Sequence, residues 1–373
     1  MKKHDFERLT AAAAIVAMLA IAGCASGGGA TPTLVAGPNA ERPATKTLTY
    51  KVFTAGKTRG FPLNAYAADI APGANGTMWF TDGGQLSAIG RISSGGTIRE
   101  FRSGLSAYSK PLRIALGPDG NMWFTDAGSL AIGKVSPSGK ITEYVAASNP
   151  NGLGAHGLAF GKNGTPWFVT MGGDSVLGSV RASGTVSIEK LPANLAPDGT
   201  LAADAEGNLW FFALDQSTEQ GVVVERLASG KLKAYKTHLF HGAQPCCPNV
   251  APSRLTIGPD GNPWFTTQDF SSNTDSANFF GTVRSGKVVL FKFKDQDAGF
   301  PSGVAAGKTL WFTGGNPFAL QGGLWNVGPD GSRQVVYDLS FNPMGLTLDS
   351  AGNPWFTATF NSTPSQIVEV IVK

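Results

Sequence analysis

Residues 113–126 read RIALGPDGNMWFTD, and residues 131–144 read AIGKVSPSGKITEY. In both stretches short apolar runs of period two are broken by turn chemistry, Asp119-Gly120 in the first and Ser138-Gly139 in the second. Those dipeptides favour tight hairpin turns, so the segment predicts four short antiparallel strands. The same grammar recurs outward in both directions. A Trp-Phe pair returns with Trp at 79, 123, 167, 210, 264, 311 and 355, at intervals of 43 to 54 residues. A repeat of that length carrying four strands predicts a propeller blade, whereas helical repeats of similar length would show a 3.6-residue period and few glycines. The chain contains 49 Gly. The expected fold is therefore all-β, a seven-bladed β-propeller with four-stranded blades over residues 46–373. The last unit ends at its third strand, IVEVIVK, and the missing strand is sought at the other end, where TLTYKVF (47–53) resembles an outer strand. Pairing of that strand into the last blade would close the ring and remove its open edges. The seven Trp-Phe pairs are read as packing between neighbouring blades rather than as a ligand platform.

Ahead of the repeats lies a different kind of sequence. Lys2, Lys3 and Arg8 precede an uncharged run from Thr10 to Ala22, which is short for a membrane span and has the form of a signal peptide. The run ends in Ile21-Ala22-Gly23-Cys24, which resembles the lipobox of bacterial lipoproteins. That resemblance implies cleavage after residue 23, a diacylglycerol on the Cys24 thiol, and membrane anchoring through the N-terminal lipid. Residues 1–23 are then a lipoprotein signal peptide and 24–45 the lipidated Cys with a Gly-, Ala-, Pro- and Thr-rich flexible linker. The expected address is the cell envelope, and the outer membrane in a two-membrane bacterium.

With Cys24 set aside, only Cys246 and Cys247 remain of three cysteines, so no disulfide framework is available. Net charge is +4 and dispersed, with no basic stripe interleaved with aromatics. No nucleic-acid partner is expected.

In a propeller, the loops from second to third strand and from blade to blade open on one face around the central channel. Two rings of positions are read as converging there. The residue three after each Trp gives Asp82, Asp126, Thr170, Ala213, Thr267, Gly314 and Ala358. The start of the inner strand gives Ala68, Leu112, His156, Gly199, Ser253, Ser302 and Met344. The run GPDGNMWFTD, followed by IGKV and KITEY, resembles the streptogramin B lyases of the virginiamycin B lyase type, and the likeness covers about residues 47–373. The resemblance implies a seven-bladed propeller that linearises a cyclic depsipeptide by elimination. It also implies a basic His that removes the proton α to the ester carbonyl, assisted by a nearby Glu and Mg²⁺. The family draws its His from PHGI-like starts of inner strands and its acid from positions beyond WF.

In the last blade this chain reads Pro343-Met344-Gly345-Leu346 and Trp355-Phe356-Thr357-Ala358, neither base nor acid. The PHGI pattern is matched instead in the third blade by Ala155-His156-Gly157-Leu158. His156 is the candidate base, with Asp82 and Asp126 as candidate catalytic and Mg²⁺-holding carboxylates, since a hard cation takes oxygen ligands. Equally, the two Asp can cap turns or pair with Arg113, and His156 can simply fill the channel mouth. Arg113 and Arg254 share one position in their blades and are candidates to bind an anionic ligand or to pair with channel carboxylates.

The longest interval contains KTHLFHGAQPCCPN, with His238, His241, Cys246 and Cys247. A vicinal disulfide between Cys246 and Cys247 and a His-Cys metal site are the two readings, and His241 is a candidate ligand-binding residue. The polar stretch TQDFSSNTDSANFF, with Phe279 and Phe280, is expected to overhang the same mouth as part of a lid. Two functions remain: an elimination-type C–O lyase on a cyclic ester or depsipeptide, and a non-catalytic envelope propeller binding a peptide, glycan or protein. Lactonase-type propellers, which need a cluster of channel Glu, Asp and Asn, rank behind both.

Overall fold

The computed structural model describes residues 48–146, 154–171, 175–240, 250–269, 278–293, 300–315, 322–331, 334–359 and 364–372. Residues 1–47, where the leader, Cys24 and the linker are expected, lie outside them, as do His241, Cys246 and Cys247. Seven antiparallel sheets follow one another along the chain. The inner strands are Ala67–Pro72, Pro111–Leu116, Gly157–Phe160, the split pair Leu195–Pro197 and Ala202–Ala203, Val250–Ile257, Phe300–Ala306 and Pro343–Leu348. Each touches the next, and the seventh touches the first, so the sheets form a closed seven-bladed propeller. Leu48–Thr54 pairs antiparallel with Gln366–Val372 as the fourth strand of blade seven, with Leu48 opposite Val372 and Thr54 opposite Gln366.

The Trp-Phe pair works as two different parts. Seven core clusters lie between blades, and each joins the Trp of one blade to the Phe of the next: Trp79 with Phe124, Trp123 with Phe168, and so around to Trp355 with Phe80. In blades one to three the Phe ring lies over a third-strand glycine, whereas blades four, six and seven place Val224, Trp325 and Val368 opposite their Phe. A Cβ on Gly90, Gly133 or Gly178 would fall 2.0–2.1 Å from the Cζ of Phe80, Phe124 or Phe168. This contact explains why IGRI, IGKV and VLGSV each place Gly at the same point.

The Trp is held at both ends. Its indole N–H donates to the turn aspartate in four blades, from Trp123 to Asp119 at 2.9 Å, Trp210 to Asp204 at 2.8 Å, Trp264 to Asp260 at 3.0 Å and Trp355 to Asp349 at 3.2 Å. Its face stacks on an aromatic of the outermost strand, as in Trp123 on Tyr144 and Trp210 on Tyr235. In blade seven that aromatic is Phe53, so the N-terminal strand supplies both the missing hydrogen-bond ladder and the missing ring.

Phe279 and Phe280 do not overhang the channel. They belong to the third strand of blade five, Asn278–Arg284, and are 6% and 0% exposed. The hydrophobic drive to bury two rings extends that strand further back than the polar composition before it suggested.

Candidate functional site

The inner strands lose register at their channel-face ends, and this decides which side chains enter the channel. The pairing slips between Ala67 and Asp69, between Pro111 and Ile114, between Pro252 and Leu255, between Pro301 and Gly303, and between Pro343 and Leu346. Such bulges leave a residue unpaired and re-aim its side chain. The residues released are Ala68, Leu112 with Arg113, Arg254, Ser302, and Met344 with Gly345.

A relay of threonines ties the released segments of blades one, two and seven to the next blade. Thr81 Oγ1 accepts the Asp69 N–H at 3.1 Å and donates to the Leu112 carbonyl at 2.9 Å. Thr125 Oγ1 accepts the Arg113 N–H at 3.1 Å and donates to the His156 carbonyl at 2.7 Å. Thr357 closes the circuit, accepting from Gly345 N–H at 3.0 Å and donating to the Ala68 carbonyl at 3.4 Å. All three threonines are fully buried. Asp69, Arg113 and His156 are thus set by hydrogen bonds between blades one, two and three.

Five ionisable groups on or beside the inner strands of five consecutive blades come together in the channel: Asp69, Arg113, His156, Asp198 and Arg254. Arg254 Nη2 stands 3.2 Å from Asp69 Oδ1, while Asp69 Oδ2 accepts the Ile114 N–H at 3.2 Å. Asp198 sits where blade four breaks its inner strand, ahead of the left-handed Gly199 (φ +86°). Its Oδ1 accepts the Thr200 N–H at 2.9 Å and the Thr200 hydroxyl at 2.7 Å. Its Oδ2 is buried with no hydrogen-bond partner among the described residues. Gly199 also makes room for the imidazole, since a Cβ there would lie 2.9 Å from His156 Cβ and 3.3 Å from its Cγ.

The electrostatics follow from crowding in a poorly solvated channel. Burial, then the neighbouring Arg254 cation, pulls Arg113 down to about 9 against the opposing pull of Asp69 and Asp198. Burial, with the Arg113 cation beside it, lowers His156 to about 4, so the imidazole is neutral at physiological pH. Burial pushes Asp198 up to about 7 despite its bonds from Thr200 and the nearby Arg113. No hydrogen bond or close ion pair is made by the Arg113 guanidinium among the described residues. It presents several N–H donors to the channel that find no acceptor among the described residues.

Of the candidates named from sequence, His156, Arg113 and Arg254 come together here. Asp82 and Asp126 do not join them. Asp82 Oδ1 accepts from the Tyr66 N–H at 2.7 Å and the Gly84 N–H at 2.8 Å. Asp126 Oδ1 accepts from the Lys110 N–H at 2.7 Å and the Gly128 N–H at 2.8 Å, and its Oδ2 takes the Ser129 hydroxyl at 3.0 Å. Each is buried and clasps the loop entering its blade to the loop leaving its second strand. Their nearest acidic neighbours lie on the outermost strands: Glu100 beside Asp82, and Glu143 near Asp126. Burial and the Asp82 carboxylate push Glu100 up to about 7, with Arg102 paired to it.

The Mg²⁺ donor set assigned to Asp82 and Asp126 is therefore a poor fit, because a shared oxygen of each is already saturated by backbone N–H groups of its own blade. Among the described residues no three His, Cys, Asp or Glu side chains gather as metal ligands. Sequence reasoning also missed Asp69 and Asp198. Asp69 occupies the same repeat position as Arg113 and Arg254, one residue beyond the ring that was read. A break in the pattern at Pro197-Asp198-Gly199 was the available signal for Asp198.

The sequence model of the virginiamycin B lyase family matches residues 46–239, more than half of the chain. No curated protein sequence matches it. Among solved structures, a streptogramin B lyase is similar with a TM-score of 0.65 and 23% identity, covering 87% of this chain and 98% of its own. A catalytically inactive virginiamycin B lyase from Staphylococcus aureus, solved with quinupristin, has a TM-score of 0.65 and 20% identity over 87% of this chain and 100% of that one. A 6-phosphogluconolactonase-like protein from Bacteroides uniformis follows with a TM-score of 0.52 and 12% identity over 79% of this chain and 95% of that one. At these identities the structures speak for the shared propeller fold, and the sequence match speaks for kinship: the chain belongs to the virginiamycin B lyase family.

Proposed function

We propose that this chain is an elimination-type C–O lyase for a cyclic ester or depsipeptide, exported and anchored to the cell envelope through a lipid on Cys24. The observation that carries the reading is a neutral imidazole, His156, beside a guanidinium, Arg113, that makes no hydrogen bond among the described residues. Elimination needs those two groups. The His156 ring nitrogen takes the proton α to a carbonyl. Arg113 N–H groups hold the carbonyl oxygen as it gains enolate charge. The electron pair then forms the Cα–Cβ double bond, the Cβ–O ester bond breaks, and a carboxylate leaves without water being added. Arg254, the second cation of the channel, is the group nearest in kind to receive that carboxylate.

Binding without turnover is the second reading, and a specific observation favours it. Met344 and Ala358 stand in the last blade where the family's pattern places a base and an acid. An imidazole lowered to about 4 is also a weaker base than an ordinary one. The two readings separate when the protein is incubated with a streptogramin B and ring opening is followed by chromatography and fragmentation, since elimination leaves the mass unchanged. A linear product that disappears in His156→Ala supports the lyase. Absence of product from folded protein leaves the binding reading in its place. Incorporation of radiolabelled palmitate, lost in Cys24→Ser, tests the anchor.

A further inference from the structure

Large apolar side chains left exposed among the described residues are unevenly placed. Val52, Leu116, Val145 and Ile188 are scattered over other parts of the blades, but Leu63, Tyr66, Leu86, Tyr108 and Met171 all lie on channel-face connections of blades one to three. Exposure reaches 83% at Tyr108, 69% at Leu86 and 64% at Leu63. Isolated exposed apolar residues need no explanation, but a group at the rim of one opening does. Tyr66 connects this rim to the channel, its hydroxyl 3.6 Å from Met344 Sδ.

Among the described residues Lys110 adds an exposed positive charge at the same rim. Its ammonium approaches the Gly84 carbonyl at 3.5 Å, while Arg102, paired with Glu100, donates to the Leu86 carbonyl at 3.3 Å. The acidic groups beneath, Asp82 and Glu100, are buried. Deeper in, the Arg113 guanidinium makes no hydrogen bond among the described residues, with Asp69 and Asp198 acting on it only through their charge and Asp69 itself paired with Arg254. The apolar rim, the Lys110 ammonium and the Arg113 guanidinium all belong to blades one to three. They complement a molecule with an apolar body and an oxyanion at one end.

We propose that the channel mouth over blades one to three binds a single anionic amphiphile, its apolar body against Leu86, Tyr108 and Tyr66 and its carboxylate on Arg113. The proposal rests on the channel mouth being the ligand site and is independent of whether turnover occurs there. Titration calorimetry with N-lauroylglycine below its micellar concentration, beside its methyl ester, tests it on the full chain. The acid is expected to bind at least tenfold more tightly than the ester. The Leu86→Ser/Tyr108→Ser double variant, altered only at exposed positions, is expected to weaken both ligands about fivefold, and Arg113→Gln to abolish the preference for the acid. Equal affinity for acid and ester overturns the proposal, as does no binding of either. Association only with phosphatidylglycerol vesicles also overturns it, and assigns the surface to a membrane instead. Because the acid–ester comparison is made on the unaltered protein, a variant that fails to fold leaves the test intact. Failure of depsipeptide ring opening with acid binding retained would remove the lyase and keep this site.

Discussion

Blades one and two repeat each other almost residue for residue, and the inner ring from blade one to blade five does not. In the first pair, MWFTD occurs twice, and each Asp, Phe and Trp does the same work in both copies. Asp82 and Asp126 clasp loops, Phe80 and Phe124 cover glycines, and Trp79 and Trp123 pack toward the next blade. In the inner ring, equivalent positions carry Asp69, Arg113, Gly157, Thr200 and Arg254, no two neighbours alike. A residue that recurs in every blade answers to the fold, which every blade shares. Residues that differ at equivalent positions can build one asymmetric site. The acidic pair looked like chemistry because it was rare among seven blades, yet its duplication between neighbours was the sign of a structural part.

That contrast can be broken at its structural end first. Gly133→Ala drives a Cβ to 2.1 Å from the buried Phe124 ring. It should cost about 3 kcal/mol or prevent folding, read as a loss of thermal midpoint. Gly120→Ala, where φ is +75° but nothing lies within 4 Å, should cost only about 1 kcal/mol. Equal effects of the two would mean that the Phe-over-Gly contact does not organise the blades.

Asp126→Ala comes next, leaving two backbone N–H groups without their acceptor, at about 2–3 kcal/mol. Ligand affinity at the channel should survive in the folded variant. Lost binding with stability intact would return Asp126 to the site.

Titration sharpens the other side. Asp198, raised to about 7, keeps a proton that the unfolded chain releases near 4, so its share of stability is present at low pH and is lost as pH rises from about 4 to 7. His156, lowered to about 4, refuses a proton that the unfolded chain accepts near 6.5, so its share is present above 6.5 and is lost as pH falls toward 4. The two oppose each other over most of that window. Asp198→Asn removes the Asp198 contribution and leaves that of His156, so the variant should gain on the parent with rising pH, by up to about 1.4 kcal/mol per pH unit. Urea unfolding at pH 4.5 and 7 measures this, and a pH-independent difference would show that Asp198 is ionised throughout. The smallest effect belongs to Asp119→Ala, which removes the bond from the Trp123 indole N–H and should cost about 1 kcal/mol.

Blade number, ring closure by TLTYKVF and the interblade role of the Trp-Phe pairs were all legible in the sequence, because each depends on patterns that repeat with the chain. His156, Arg113 and Arg254 were legible as candidates for the same reason, through their place in the repeat. Asp69 and Asp198 were not, because bulges and the left-handed Gly199 move the channel-facing position by a residue or two, and such slips follow from pairing between strands. The role of Asp82 and Asp126 was hidden for a related reason. An Asp at the end of a second strand can turn toward the channel or back to its own loop, and only the loop N–H groups within reach decide which.

The central claim is that Arg113 and burial hold His156 neutral in a charged channel. Following the imidazole resonances by NMR as a function of pH, with the signal assigned by its loss in His156→Gln, tests this most directly. A midpoint of about 4 that moves up toward 6.5 in Arg113→Met is the predicted result. A midpoint near 6.5 in the unaltered protein would contradict the account, since His156 would then be solvated and outside the influence of Arg113.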